Sequence, residues 1–94
     1  MPYHLAYSQT SRDQIRLLHP LLKPLVKRKI QDLKDNPFIG KALEKELSGY
    51  WSIRAKRFRI IYRILQEENT VQIHYVGHRK DIYEILRDII AENE

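Results

Sequence analysis

Cysteine is absent from this 94-residue sequence. That excludes disulfides and thiolate metal sites, and it fits a chain made for a reducing compartment. Also missing is any run of about 18 apolar residues, the length a membrane-spanning helix needs, so no membrane association is expected. The N-terminal MPYHLAYSQT lacks the charged-then-apolar pattern of a secretory signal, which makes a cytoplasmic location the expectation. No repeat, linker or low-complexity segment interrupts the chain, and its length suits one domain over residues 1–94 with one modest core. What is plentiful is positive charge. Seventeen Lys and Arg against twelve Asp and Glu leave a formal +5, with a pI near 9.6. Such a balance favours a polyanionic partner, because protein cations displace counterions from phosphates.

The hydrophobic pattern sets out the elements. Tyr3, Leu5 and Tyr7 alternate with His4 and Ala6, as in a short strand. Ser8 and Thr10 are helix caps ahead of a helix over roughly Gln9–Leu18. His19-Pro20 breaks it. Pro24 belongs in the first turn of a second helix, where its missing N–H costs little, and Leu22, Leu25, Val26, Ile30 and Leu33 form that helix's apolar stripe as far as Asp35. Asn36-Pro37 ends it. Lys41–Leu47 reads either as a helical turn or as an extended lead-in, and Ser48-Gly49 as a turn.

Three strands follow, near Tyr50–Lys56, Phe58–Leu65 and Val71–Gly77. Trp51, Ile53 and Ala55 share one face of the first, and Ser52, Arg54 and Lys56 the other. The second is apolar on both parities, as a central strand should be. Ile82, Ile85, Leu86, Ile89 and Ile90 give a final helix, with Asp81 suited to the positive end of its dipole. The expected architecture is α+β: a small antiparallel sheet of about four strands, an N-terminal helical hairpin on one face, and a C-terminal helix.

Cations stand in this sheet where threonine or valine would be ordinary. Arg54 lies on the polar parity of the first strand, Arg59 and Arg63 share a parity of the second, Lys56 and Arg57 form the turn between them, and Arg79 follows the third. Neighbouring strands are about 4.8 Å apart, so these side chains can converge on one phosphate, which a guanidinium grips with two parallel hydrogen bonds. His74 and His78 lack a third ligand at useful spacing, so no metal site and no cofactor are expected.

The order Leu47-Ser48-Gly49, Trp51-Ser52-Ile53-Arg54, Phe58-Arg59-Ile60-Ile61-Tyr62-Arg63-Ile64 and Val76-Gly77-His78-Arg79-Lys80-Asp81-Ile82-Tyr83 resembles the RelE branch of the RelE/ParE toxin superfamily, over nearly the whole chain. The resemblance implies the family's microbial-ribonuclease-like fold and a toxin of a type II toxin–antitoxin module that cleaves messenger RNA in the ribosomal A site. In that chemistry the RNA 2′-hydroxyl attacks the adjacent phosphate, leaving a 2′,3′-cyclic phosphate and a 5′-hydroxyl. The implied partners are the ribosome and messenger RNA, a RelB-like or other cognate antitoxin, and operator DNA only through the toxin–antitoxin complex.

Carried over by residue, the resemblance makes Arg59 the transition-state arginine. Arg79 serves charge stabilisation and leaving-group protonation, Arg54 helps activate the nucleophile, and Tyr83 orients or stacks on the base. Ser52 departs from the pattern, since relatives often carry lysine or arginine there. Ser52, Lys56, Arg57 and Arg63 are expected along the RNA, with Lys23 and Lys27 as a sequence-independent anchor.

Arginine is a poor proton shuttle, with a pKa above about 12. Histidine is the one side-chain type in this set whose ordinary pKa lies near neutrality, so His78 is assigned a part in proton transfer. Simpler readings stand beside these. The arginines and the Lys23–Lys34 cluster can be solvated charges, Arg79 a partner of Asp81 or Glu84, Tyr83 core packing, and His78 a strand-end residue. Two other functions remain open: a ParE-like DNA gyrase inhibitor without ribonuclease activity, and a catalytically weak ribosome- or RNA-binding domain.

Overall fold

A computed structural model of the chain describes residues 2–78 and 82–93, with the backbone alone at 82, 83, 92 and 93. The elements run β1 (His4–Tyr7), α1 (Gln9–Arg16), α2 (Lys23–Asp35), β2 (Lys41–Ala42), β3 (Tyr50–Ala55), β4 (Phe58–Leu65), β5 (Thr70–His78) and α3 (Ile82–Asn93). Single 3₁₀ turns at Pro37–Ile39 and Lys45–Leu47 flank β2. The ambiguous Lys41–Leu47 segment is thus both of its readings in succession, an extended start and a helical turn.

Local signals place the helix ends. Ser8 caps α1, its hydroxyl accepting from the Ser11 N–H at 3.1 Å. Helix α1 stops at Arg16, short of the expected Leu18, which turns inward and is buried. Pro24 lies in the first turn of α2, and Asn36 ends that helix while its Oδ1 accepts from the Phe38 N–H at 3.1 Å.

The sheet has five strands in the order β1-β5-β4-β3-β2. It corrects the antiparallel, roughly four-stranded expectation in two respects. Strand β1 pairs with β5 in parallel, His4 opposite Thr70 through Tyr7 opposite Ile73, and the short β2 adds an edge against Ser52 and Trp51. The parallel pair spans almost the whole chain, as parallel strands need a long crossover between them. Strand β4 is central, flanked by β3 and β5.

Two apolar layers cover the sheet. Leu18, Val26, Ile30 and Leu33 pack on Ala55, Ile60, Tyr62, Val71, Ile73 and Val76, so the helical hairpin covers one face. Leu86 and Ile89 of α3 pack with Leu47, Tyr50 and Ile61 on the other. That second face is therefore not wholly open. Helix α3 has twelve residues, too short to be stable alone in water, and each side chain it buries contributes roughly 1.5–3 kcal/mol.

Where β1 ends, α1 takes over the edge of β5. The Ser8 hydroxyl donates to the His74 carbonyl at 3.0 Å, the Ser11 hydroxyl to the Ile73 carbonyl at 2.9 Å, and the Val76 N–H donates to Gln14 Oε1 at 2.7 Å. These bonds hold β5 at an irregularity. Ile61 pairs with Tyr75 and Tyr62 with Ile73, which leaves His74 as the extra residue of a bulge.

Candidate functional site

The turn Lys56-Arg57 joins β3 to β4 with Ala55 opposite Phe58, and it carries the next pairs with it. Arg54 stands directly opposite Arg59, and on the other side of β4 Arg59 stands opposite Gly77. Arg54, Arg59 and Gly77 thus share one rung across three strands. Like charges directly opposite each other generally destabilise a strand pair, and an anion bound between them relieves that.

Around it lies a depression of about 260 Å³ lined by Arg54, Lys56, Arg57, Phe58, Arg59 and His78. Four of the six are cations, and no described carboxylate lines it. Arg54, Lys56 and Arg57 are exposed, whereas Arg59 is half-buried at the floor. Its guanidinium is positioned from β3: Nη1 donates to the Ser52 hydroxyl at 3.0 Å. Lys56 adopts φ +56°, a left-handed conformation unusual for a side chain of that kind. His78 ends β5 opposite Phe58, their rings edge to face with centroids 5.4 Å apart.

A sequence model of the family described as "ParE toxin of type II toxin-antitoxin system, parDE" matches residues 5–83. The chain is 40% identical over 85 residues to Toxin RelG of Mycobacterium tuberculosis, covering 88% of this chain and 98% of that one. The chain belongs to the RelE/ParE family of type II toxins.

Among solved structures, the toxin–antitoxin complex RelBE2 of Mycobacterium tuberculosis superposes with a TM-score of 0.77 at 36% identity, covering 86% of this chain and 95% of that one. The isolated Escherichia coli RelE toxin superposes with a TM-score of 0.72 at 20% identity, covering 94% and 98%, a likeness of fold.

In this RelE/ParE chain the structure sorts the residues read from sequence. Arg54, Lys56, Arg57, Arg59 and His78 converge on the depression. Ser52 does not reach it. At 2% exposure it is a buried acceptor for Arg59, which corrects its reading as a surface contact to RNA. Arg63 lies further along β4, its guanidinium 5.4 Å from the centroid of its cross-strand partner Tyr50. Lys23 and Lys27 belong to the hairpin layer. Lys23 donates to the Arg16 carbonyl at 3.1 Å, and Lys27 borders a small cavity with Tyr7, Arg12, Ile15 and Ile30. Arg28 instead shares a second depression with Lys56, whose other lining residues, Leu21, Leu22, Pro24 and Leu25, are apolar. Arg79 and the side chain of Tyr83 lie outside the described residues.

Phe58 was missed from sequence as a lining residue. The signal was available in the register, since the residue after a two-residue turn faces the strand end opposite it. His74 is buried at the bulge, where its Nε2 meets Gln72 Oε1 at 2.7 Å. Burial, and secondarily the positive charge of Arg63, hold its pKa below the ordinary histidine value. No described helix is long and apolar enough to cross a membrane.

Proposed function

We propose that this toxin is a ribosome-dependent endoribonuclease that cuts messenger RNA in the ribosomal A site. The observation that carries the reading is the rung of Arg54 opposite Arg59, set in a depression lined by four cations and no described carboxylate. In the reaction the RNA 2′-hydroxyl gives up its proton as its oxygen bonds to phosphorus, the bond from phosphorus to the 5′-oxygen breaks, and the 5′-oxygen takes up a proton. The phosphorane between these steps carries extra negative charge on its non-bridging oxygens. Preorganised donors at such a charge are each worth about 10²–10³-fold in rate.

Arg59, half-buried and tied to Ser52, is assigned that charge, with Arg54 beside the nucleophile. Lys56 and Arg57 hold the flanking backbone. His78 is the candidate for moving a proton, worth about 10²–10⁴-fold when positioned. Arg79 and Tyr83 take their roles from the family pattern, in leaving-group stabilisation and base orientation. The reaction as written uses no cofactor.

A cognate antitoxin is part of the proposal. The solved RelBE2 relative is a toxin–antitoxin complex. This chain offers an acidic, amphipathic segment both the basic depression and apolar side chains such as Leu17 and Leu21, which are 78% and 82% exposed. The family description matched by the sequence also names ParE toxins, so gyrase inhibition is the second reading. Primer extension on messenger RNA in programmed ribosomes separates the two. Cleavage within the A-site codon by the wild type, lost in Arg59→Ala, supports the ribonuclease. Intact RNA together with induction of the DNA-damage response in cells points to the gyrase reading.

A further inference from the structure

We infer that Tyr75 is a further RNA-contacting residue of this site, its phenol hydroxyl donating a hydrogen bond to a non-bridging oxygen of the phosphate held by Arg54 and Arg59. The inference rests on the ribonuclease reading above.

Simple alternation along β5 would put Tyr75 on the side of Val71 and Ile73, under the helical hairpin. The bulge at His74 prevents this. Val76 returns to the hairpin core at 2% exposure, while Tyr75 turns to the opposite face, pairs with Ile61 and packs with Leu86 and Ile89 of α3. Gly77 follows on the same face, directly opposite Arg59. A Cβ built on Gly77 would collide with the Tyr75 hydroxyl and lie 2.6 Å from its Cζ and 2.7 Å from its Cε1.

The tyrosine ring therefore lies along the strand, over the glycine, with its hydroxyl carried to the Arg59 rung. Cross-strand Cβ positions are about 4.5–5.5 Å apart, so the hydroxyl ends within a side chain's reach of Arg59. Gly77 supplies the space, since any other residue there displaces the ring. Tyr75 is half-buried, and its hydroxyl makes no hydrogen bond to a described residue. A phosphate bound at the rung would meet charge from the two arginines and a neutral donor from the side of β5.

Single-turnover cleavage on programmed ribosomes tests this, with thermal melting and ribosome binding measured alongside. Tyr75→Phe keeps the ring and removes the donor. It is expected to melt and to bind ribosomes as the wild type does, and to cleave about 10–100-fold more slowly, somewhat less than the loss of a fully buried oxyanion donor. Gly77→Ala, which pushes the ring aside, is expected to slow cleavage too, with Tyr75→Phe adding little in that background. Cleavage by Tyr75→Phe at the wild-type rate, with Arg59→Ala inactive, overturns the inference and leaves the ribonuclease reading intact. Wild-type protein that leaves the RNA uncut overturns that reading, and the inference with it.

Discussion

The Arg59 guanidinium is bound to the buried Ser52 hydroxyl at 3.0 Å, from the neighbouring strand and two residues away from the turn-side partner Arg54. Under the proposed ribonuclease reading, Ser52 serves the site indirectly, by aiming the Arg59 charge. Ser52→Ala removes the acceptor, and cleavage is expected to fall about tenfold with roughly 1 kcal/mol lost in stability, the net worth of one such bond. Ser52→Thr keeps a hydroxyl and should retain most of the rate. Equal rates for the Ala and Thr variants would refute the aiming role.

Arg54 stands opposite Arg59 across the strands, a like-charge pairing of the kind that generally destabilises a sheet. Arg54→Ala is expected to stabilise the fold by about 0.2–1 kcal/mol, the usual scale of a cross-strand pair. It should slow cleavage at the same time. Its binding to single-stranded RNA should lose about 0.7 from the slope of log affinity against log salt, the share of one phosphate contact. Chemical denaturation and salt titrations measure the two effects separately.

His78 is exposed at the end of β5, held against Phe58 by ring contact. His78→Ala should lower the melting temperature only slightly, because His78 is exposed and its ring contact is with the half-buried Phe58. Cleavage is expected to drop at least about 10²-fold. A variant that cuts at the wild-type rate removes His78 from the proton transfer.

His74 is buried, and its folded pKa lies below the ordinary histidine value because burial and then Arg63 disfavour the charged ring. The unfolded chain therefore binds the proton first on acidification. Stability is fully present above about pH 6.5 and falls as the pH drops from there towards the lowered folded value. Melting temperatures from pH 8 to 5 should show this acid loss. His74→Gln, which cannot charge, should reduce it.

Tyr62 provides a stability control away from the chemistry. Its hydroxyl donates to the Pro37 carbonyl at 2.7 Å in the hairpin core, and its pKa is pushed up to about 12, chiefly by burial. Tyr62→Phe leaves that carbonyl unsatisfied and is expected to cost about 1–3 kcal/mol, with the single-turnover cleavage rate of the folded protein unchanged. On the alkaline side the folded state keeps the phenolic proton that the unfolded chain gives up from about pH 10. Stability should therefore decline as pH rises from 10 towards 12 in the wild type more than in Tyr62→Phe.

Much of this protein could be read from its residues, because the deciding interactions are local. Ser8, Pro24 and Asn36 mark helix boundaries by satisfying or lacking particular backbone hydrogen bonds. The apolar run Phe58–Leu65 identifies the central strand because both its faces must be covered. A two-residue turn sets the register on either side of it, and with it the opposition of Arg54 and Arg59. The depression was legible for the same reason, since short-range pairing brings its cations together.

Other features depend on contacts between parts of the chain far apart in sequence. The direction of β1 follows from where the completed sheet leaves an open edge beside β5, which four residues of alternation do not encode. Ser52 reads as a small polar strand residue, and only the packing around it makes it a buried acceptor for Arg59. The face covered by α3 is set by Tyr50, Ile61 and Tyr75 jointly.

The bulge at His74 is the plainest case. Strand periodicity in the sequence determined that Val71 and Ile73 face the core. The tertiary structure decided that Tyr75 and Gly77 face Arg59, because α1 binds the β5 backbone at Ile73, His74 and Val76 and holds one extra residue there, which reverses the side of every residue after it.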